Sequence, residues 1–203
     1  MIIVVAATDE QWNELTTNRT KTEWLRVNDH RDFIQNKSAA AFFNLKDNMI
    51  PGELAALEKP VFINAVIQTL ADLKTPANVL RINGWAGFLQ RAVWEIAGIA
   101  DENVDRIFKD LGIKINKVAD EPGFIAARII AMIINEAYFT VSDKVSSKKE
   151  IDTAMKLGTN YPHGPFEWAE AIGAKNILEL LSRLSLTDKR YEPAGLLIKE
   201  VNG

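Results

Sequence analysis

The N-terminal part of the chain alternates short β-rich runs with helical patterns, and no other sequence feature restricts the fold as strongly. Strands that alternate with helices are typical of βαβ units, in which successive strands pair in parallel. We therefore predict an α/β N-terminal domain with a mostly parallel sheet. The predicted strands are Ile2–Ala6, Trp24–Val27, Ala40–Leu45, Pro60–Ala65, Val79–Gly84, Ala92–Ile96 and Ile113–Val118.

Helical patterns lie between these strands. The clearest covers Glu102–Leu111, where Val104, Ile107 and Phe108 fall on one face and Gly112 can end the helix with a left-handed residue. The other predicted helices are Asp9–Thr17, Arg31–Asn36, Pro51–Glu58 and Ile67–Leu73.

Beyond Asp120 the sequence contains helical patterns only, so we predict two domains, 1–119 and an all-α domain 120–203. Pro122 and Gly123 are predicted to open a helix that runs to about Ser142. Ser147 and Glu150 form a capping-box pattern for the next helix. The remaining predicted elements are a rigid turn at Tyr161–Pro165, helices at Phe166–Ile172 and Asn176–Leu184, and a last short helix after Tyr191-Glu192-Pro193.

Charge and composition argue against several classes of partner. A net charge of −3 with scattered basic residues gives no attraction to nucleic acid. The chain has no cysteine and no paired histidines at helical spacing, so no metal site is expected. The apolar runs Met1–Ala7 and Phe124–Ala137 are too short for a signal core or a membrane span. We expect a cytoplasmic protein without a membrane partner.

The C-terminal part carries a series of motifs that resembles a known family. In order and spacing, these motifs resemble the C-terminal domain of 3-hydroxyacyl-CoA dehydrogenases. The resemblance implies a Rossmann-like N-terminal domain, here degenerate and shortened, and a helical domain that forms a homodimer and closes a cleft for an acyl-CoA-like ligand. The motifs are Asp120-Glu121-Pro122-Gly123-Phe124-Ile125, Asn135-Glu136-Ala137, Ile151-Asp152-Thr153-Ala154-Met155-Lys156-Leu157-Gly158 and Pro162-His163-Gly164-Pro165-Phe166-Glu167.

The resemblance also assigns residues to a substrate cleft. Asn64 falls where the family has a Ser-Asn-Thr-Ser stretch. Gly84 to Phe88 falls where the family has Gly-x-His-Phe-Phe-Asn-Pro. The resemblance therefore implies substrate contacts from Asn64, Trp85 and Phe88.

The same alignment places Ala86 at the family's catalytic histidine. Oxidation of a 3-hydroxyl needs a base near neutral pH, and the family uses a His–Glu dyad for this proton. The acidic member survives as Glu95, our one catalytic candidate, although a strand carboxylate is more often structural. The two histidines of the chain, His30 and His163, lie in turns and do not replace the missing base.

Two further family positions have lost their polar groups. The catalytic asparagine that follows Pro-Gly-Phe-Ile is Ala127, and the serine of the Ser-Asn-Thr-Ser stretch is Ile63. Three losses at once favour a chain that no longer performs the family's oxidation.

The turn after the first predicted strand lacks what a dinucleotide requires. Binding a pyrophosphate there needs GxGxxG, whereas Ala6–Gln11 contains no glycine. Asp9 and Glu10 stabilise the positive N-terminal end of a helix and would repel an anionic cofactor. Thr8 or Asp9 is most simply the N-cap of that helix. Asp29 stands where a ribose-binding acid would be, but a surface turn residue is the better interpretation. NAD is the family's cofactor, and we expect none here.

Three functions agree with these observations. The first is a non-catalytic relative that keeps an acyl-CoA site or acts as a scaffold. The second is an active NAD-dependent oxidoreductase with a rearranged site. The third is a purely structural dimeric module.

Overall fold

A computed structural model of the chain describes residues 1–19, 21–46 and 51–203. Its contacts form two compact units, Met1–Phe124 and Ile125–Gly203. The first, called the N-terminal unit, contains a sheet flanked by helices. The second, called the helical unit, is built from α-helices and one 3-10 helix. The predicted combination of an α/β part and an all-α part is confirmed.

The sheet of the N-terminal unit has seven strands in the order β2-β1-β3-β4-β5-β6-β7. All neighbouring strands pair in parallel except β5 and β6, which are antiparallel. A mostly parallel sheet is therefore confirmed, and each predicted strand is present within two residues of its predicted ends. The strands are β1 (Ile2–Ala6), β2 (Glu23–Val27), β3 (Ala41–Asn44), β4 (Val61–Asn64), β5 (Val79–Ile82), β6 (Val93–Ala97) and β7 (Lys114–Val118).

The α-helices of this unit are shorter than predicted. They are α1 (Asp9–Thr16), α2 (Leu70–Leu73) and α3 (Glu102–Asp110). Helix α2 starts at Leu70 rather than Ile67 because Thr69 caps it: the Thr69 hydroxyl accepts a hydrogen bond from the Asp72 amide at 3.0 Å.

Two predicted helices are 3-10 helices instead of α-helices. They cover His30–Gln35 and Pro51–Ala56. Six residues provide few i to i+4 bonds, so the tighter i to i+3 pattern is favoured. His30, which the sequence places in a charged turn, is buried at the start of the first of them.

Alternate residues of the central strands supply two cores, one on either face of the sheet. On β1, Ile3 and Val5 face one core, and Val4 and Ala6 face the other. This alternation follows from the two-residue period of a strand. Because both faces are covered, the central strands consist almost entirely of apolar residues.

A group of aromatic rings fills the first of these cores. The ring centroids of Phe43 and Phe62 are 4.7 Å apart, and those of Phe62 and Phe108 are 5.0 Å apart. Trp94 lies edge-on to Phe108 at 5.7 Å. Helix α3 is thereby fixed against β3, β4 and β6.

A fully buried arginine ties the end of the N-terminal unit to its sheet. Arg81 on β5 donates through Nε to the Ala65 carbonyl at 2.9 Å and through Nη2 to the Glu121 carbonyl at 3.1 Å. Its Nη1 pairs with Asp120 at 2.6 Å, and its guanidinium lies 4.6 Å from the Phe124 ring centre. Burial lowers the pKa of Arg81, and the Asp120 charge opposes this effect. These contacts hold residues 120–124 in the first unit.

The helical unit is arranged around its longest helix. Its helices are α4 (Ala126–Ser142), α5 (Lys148–Thr159), α6 (Pro165–Ile172), α7 (Ala174–Ser185) and α8 (Gly195–Asn202), with a 3-10 helix at Lys189–Tyr191. The prediction that Pro122 and Gly123 open α4 is wrong, because Gly123 and Phe124 have positive φ values of 82° and 51°. None of the described helices is long and apolar enough to cross a bilayer.

Polar side chains connect the helices of this unit. The buried amide of Asn135 on α4 donates to the Glu192 carbonyl and accepts from the Ala194 amide, both at 2.8 Å. The Tyr138 hydroxyl donates to Glu200 on α8 at 3.0 Å. The predicted capping box at Ser147 is confirmed, since the Ser147 hydroxyl accepts from the Glu150 amide.

Candidate functional site

The carboxyl ends of β1 and β3 mark the place where an open α/β sheet usually binds a ligand. Strand β1 lies between β2 and β3, so the chain reverses its direction across the sheet at this point. Ligands of such sheets bind outside the carboxyl ends of the strands at this reversal. The residues after β1, β3, β4 and β5 therefore form the candidate site of the N-terminal unit.

Gln11 spans this edge of the sheet. The Thr8 hydroxyl accepts from the Gln11 amide at 3.2 Å, and Gln11 Oε1 accepts from the Thr8 amide at 3.1 Å, which completes a capping box on α1. Gln11 Nε2 then donates to the carbonyls of Leu45 at 2.9 Å and Gly84 at 3.3 Å. One side chain thus joins the first helix to the ends of β3 and β5.

Asn64 completes the same bridge from the end of β4. Its Oδ1 accepts from the Gly84 amide at 2.9 Å, and its Nδ2 donates to the Leu45 carbonyl at 3.4 Å. A Cβ atom on Gly84 would lie 2.8 Å from Asn64 Cγ, so only glycine permits this approach. The amide of Asn64, which the resemblance assigns to substrate binding, is bonded to the backbone of its own unit.

The turn after β1 carries two exposed carboxylates. Asp9 pairs with Arg26 Nη2 at 2.6 Å, and Arg26 also donates to the Ala7 carbonyl at 3.0 Å. The Arg26 guanidinium lies 5.5 Å from the centre of the Trp12 ring. Asp9 and Glu10 lie in the first turn of α1, where negative charges stabilise the positive end of the helix dipole, as the sequence predicts. The guanidinium of Arg26 beside them is paired with Asp9.

Asp29 at the end of β2 is part of a local cap. Its carboxylate accepts from the Arg31 amide at 2.8 Å and pairs with the Arg31 side chain. The Arg31 side chain and amide together lower the pKa of Asp29 to about 2. Asp29 thus starts the 3-10 helix at His30.

This lowered pKa predicts an acid-sensitive contribution to stability. A carboxyl whose pKa is lower in the folded state stabilises the fold above its unfolded pKa and loses that contribution as the pH falls. For Asp29 the loss begins as the pH falls toward its ordinary pKa of 3.8 and is complete below the folded value of about 2. We expect the urea midpoint of an Asp29→Asn variant to fall less steeply than that of the wild type across this range. Equal slopes would contradict the assignment.

The remaining assigned positions of the N-terminal unit lie on or near β4 to β6. Ile63 is buried in the second core, and Trp85 and Phe88 are buried with 7% and 5% of their surface exposed. Ala86 is half-buried. Glu95 is half-buried on β6.

Arg91 lies in the same unit as Glu95. Burial lowers the pKa of Arg91, and the charges of Glu95 and Glu14 oppose this effect.

In the helical unit, Ala127 is fully buried in the first turn of α4. Its methyl group provides neither a donor nor an acceptor. The same helix lines a groove of about 620 Å³ whose walls include Ile129, Met132 and Ile133. Ile129 exposes 55% of its surface, a large exposed fraction for an aliphatic side chain.

Sequence reasoning missed Gln11 and Glu14. The spacing of Thr8 and Gln11 is a capping-box pattern, so a search for it would have found their local contact. The bonds of Gln11 to Leu45 and Gly84 join residues far apart in the sequence and have no local signature.

The helical unit matches a known family in sequence. Residues 123–202 match the family model described as 3-hydroxyacyl-CoA dehydrogenase, C-terminal domain. The chain is 44% identical over 88 residues to 3-hydroxyadipyl-CoA dehydrogenase of Escherichia coli K12, a match that covers 42% of this chain and 18% of that protein. It is 38% identical over 120 residues to 3-hydroxybutyryl-CoA dehydrogenase of Bradyrhizobium diazoefficiens, covering 56% of this chain and 41% of that protein. The matched part therefore spans less than half of each of these curated relatives.

The whole chain matches solved structures in fold. It superposes on (S)-3-hydroxybutyryl-CoA dehydrogenase from Ralstonia eutropha with a TM-score of 0.74 and 18% identity, covering 99% of this chain and 93% of that one. FadB2 of M. tuberculosis gives a TM-score of 0.75 at 14% identity, with the same coverage. Residues 123–202 thus carry the C-terminal domain of the 3-hydroxyacyl-CoA dehydrogenases, and the chain as a whole has the fold of these proteins.

Proposed function

We propose that this chain is a non-catalytic relative of the 3-hydroxyacyl-CoA dehydrogenases that binds an acyl-CoA-like ligand or acts as a scaffold, and that it does not bind NAD. The bridge made by Gln11 carries this proposal. A dinucleotide at this edge needs a turn that its pyrophosphate can approach closely and helix amides that point at its phosphates. Here the Thr8 hydroxyl accepts from an amide of the first turn, and Gln11 bonds to Leu45 and Gly84 where the ligand would enter.

Charge supports the same proposal. Asp9 and Glu10 stand at the start of α1, where the two pyrophosphate charges would lie. Like charges placed so close together repel each other, although solvent screens exposed carboxylates and Arg26 pairs with Asp9. The residues of this turn therefore do not fit the family's cofactor, and we assign no reaction step to NAD in this chain.

The aligned catalytic positions support a non-catalytic role. Proton transfer needs a side chain that can accept a proton within hydrogen-bond reach. Ala86, Ala127 and Ile63 have no such group, which leaves Glu95 as the one aligned position that carries a carboxylate.

A thermal-shift panel of NAD, NADH, CoA and acyl-CoA esters tests the proposal. A ligand that binds only the native state stabilises it by about 2.7 kcal/mol at one hundred times its Kd, which raises the melting temperature. We expect a rise with acyl-CoA esters and none with NAD or NADH. A scaffold without an acyl-CoA site would respond to no compound of the panel, and a rise with NADH would overturn the proposal.

An active enzyme with a rearranged site is the second candidate, because Glu95 is present and the helical domain matches the family. This candidate predicts NADH-dependent reduction of acetoacetyl-CoA that is lost in a Glu95→Gln variant. The non-catalytic proposal predicts no turnover in either protein.

We also propose that the chain forms a homodimer through the helical unit. The groove along α4 and its exposed Ile129 support this, since a contiguous apolar surface is typical of a protein interface. A groove of this size also suits a small ligand.

A charge placed in this groove is expected to separate the dimer. In an Ile133→Glu variant, a desolvated carboxylate would face an apolar interface, so the dissociation constant of the dimer should rise by at least about 100-fold. Leu157→Glu is the matched control, because Leu157 on α5 is 83% exposed and is not among the groove residues. Sedimentation velocity over a range of concentrations measures both. A monomeric wild type, or equal weakening by the two variants, would contradict the proposal.

A further inference from the structure

The segment between β5 and β6 is held by a carboxylate from α1. We call this segment, Gly84–Arg91, the β5–β6 loop. Glu14 Oε1 accepts from the Gly87 amide at 2.6 Å, and Oε2 accepts from the Leu89 amide at 3.2 Å. Burial raises the pKa of Glu14, and the amides of Gly87, Leu89 and Gln90 oppose this effect. Two amides of one loop therefore converge on a single carboxylate.

The backbone of the loop is shaped for this role. Gly87 has a φ of +82°, a conformation that non-glycine residues rarely adopt. Turns with such a residue can point successive N–H groups into one concavity, which is a common way of binding anions. The anion bound in this loop is the Glu14 carboxylate of the same chain.

The carbonyls of the loop face arginines. Arg19 Nη2 donates to the Leu89 carbonyl at 3.0 Å and to the Arg91 carbonyl at 3.3 Å. Arg91 Nε donates to the Gly87 carbonyl at 3.2 Å, and its guanidinium lies 3.9 Å from the centre of the Phe88 ring. The loop amides thus donate to the Glu14 carboxylate, and the loop carbonyls accept from the guanidinium groups of Arg19 and Arg91. All of these partners belong to the same unit.

We propose that the amides of Gly87 and Leu89 form an anion-binding loop that Glu14 fills in the resting protein, and that the loop accepts an external carboxylate when the Glu14 side chain is removed. The ligand class is a small monocarboxylate, because two convergent amide bonds match the two oxygens of one carboxylate group. Removing the Glu14 side chain should leave this loop empty and open to such an ion. This site does not depend on the acyl-CoA role proposed above.

Formate binding to a Glu14→Ala variant tests the proposal. Sodium formate is titrated at constant ionic strength with sodium chloride while amide chemical shifts are recorded by ¹H–¹⁵N NMR. We expect saturable shifts at Gly87, Leu89 and Gln90 with a Kd of about 1–100 mM, the range open to a ligand of three heavy atoms. The wild type, with its loop filled, should show none. Equal shifts in both proteins, or none in the variant, would overturn the proposal.

Glu14→Gln is the matched control for size. Its carboxamide occupies the same space as the carboxylate but presents an NH₂ group to one of the amides. The loop should therefore stay filled, and formate should not bind to it. Saturable formate binding at these amides in the Gln variant would mean that Glu14 does not fill the loop.

A measurement on the wild type keeps the proposal testable if the Ala variant does not fold. The carboxyl carbon of Glu14 and the Gly87 amide proton are followed through an acid titration. Both should change with one midpoint, because they share a short charge-assisted hydrogen bond. The charge of Glu10 raises the pKa of Glu14, and the charges of Glu14 and Glu95 raise that of Arg91. Arg19 donates to the backbone carbonyl of Glu14. A Glu10→Gln variant should therefore lower the shared midpoint. A chemical shift of the Gly87 amide proton that does not change as Glu14 titrates would overturn the proposal.

Discussion

Replacing Arg81 with methionine is expected to lower the free energy of unfolding of the N-terminal unit by about 3–5 kcal/mol. Arg81 is fully buried and pairs with Asp120, whose side chain is 28% exposed. Methionine keeps much of the volume but leaves the carbonyls of Ala65 and Glu121 without their donor. A part-buried carbonyl without its donor costs up to about 1–3 kcal/mol, and Asp120 loses its charged partner while it keeps the amides of Leu70 and Ala71.

Urea unfolding followed by tryptophan fluorescence measures this loss. Lys117→Met is the matched control, because Lys117 forms an ion pair with Asp105 at 2.8 Å with side chains 48% and 50% exposed. Exposed pairs contribute about 0–1 kcal/mol, so this variant should unfold close to the wild type. If the Arg81 and Lys117 variants lost equal stability, the buried network would not have the importance assigned to it.

Truncating Phe43 to alanine is expected to cost about 3–5 kcal/mol. Phe43 is fully buried, and its ring lies 4.7 Å from Phe62, 6.3 Å from Trp94 and 6.4 Å from Phe108. Alanine removes the ring from the centre of this group and leaves a cavity that strands on both sides restrain from collapsing.

Leu25→Ala is the control for Phe43, since Leu25 lies on the edge strand β2 and exposes 41% of its surface. Its truncation should cost less than about 1 kcal/mol in the same urea experiment. A Phe43 variant as stable as the Leu25 variant would show that the aromatic group does not hold α3 to the sheet.

The central strands were predictable because each is a short, mostly apolar run bounded by polar residues or glycine. Val61–Asn64 and Val79–Ile82 show this most clearly, since both faces of the central sheet are buried and the signal is continuous. Local caps were also predictable, as Thr8 and Ser147 illustrate.

The wrong predictions have two different physical causes. The start of α4 depends on the positive φ values of Gly123 and Phe124, which tertiary contacts impose, including the packing of Phe124 under Arg81. The 3-10 helix at His30 has a local cause, because it starts at the Asp29 cap and spans only six residues.

The candidate site was only partly predictable. The sequence identified Asn64, and the absence of glycine after β1 indicated an altered turn. It gave no sign that Asn64 and Gln11 bond to the same Leu45 carbonyl, because such contacts arise only when the strand ends are brought together. Long-range polar contacts of this kind lack any periodic pattern in the sequence.

Isothermal titration with NADH is the most direct test of the central claim that Gln11 and the acidic turn close the carboxyl edge of the sheet to a dinucleotide. We predict no saturable heat up to about 1 mM NADH, which places any Kd above that concentration. A stoichiometric isotherm with a Kd in the micromolar range would contradict the account, and it would mean that Gln11 yields its bonds to Leu45 and Gly84 when the cofactor binds.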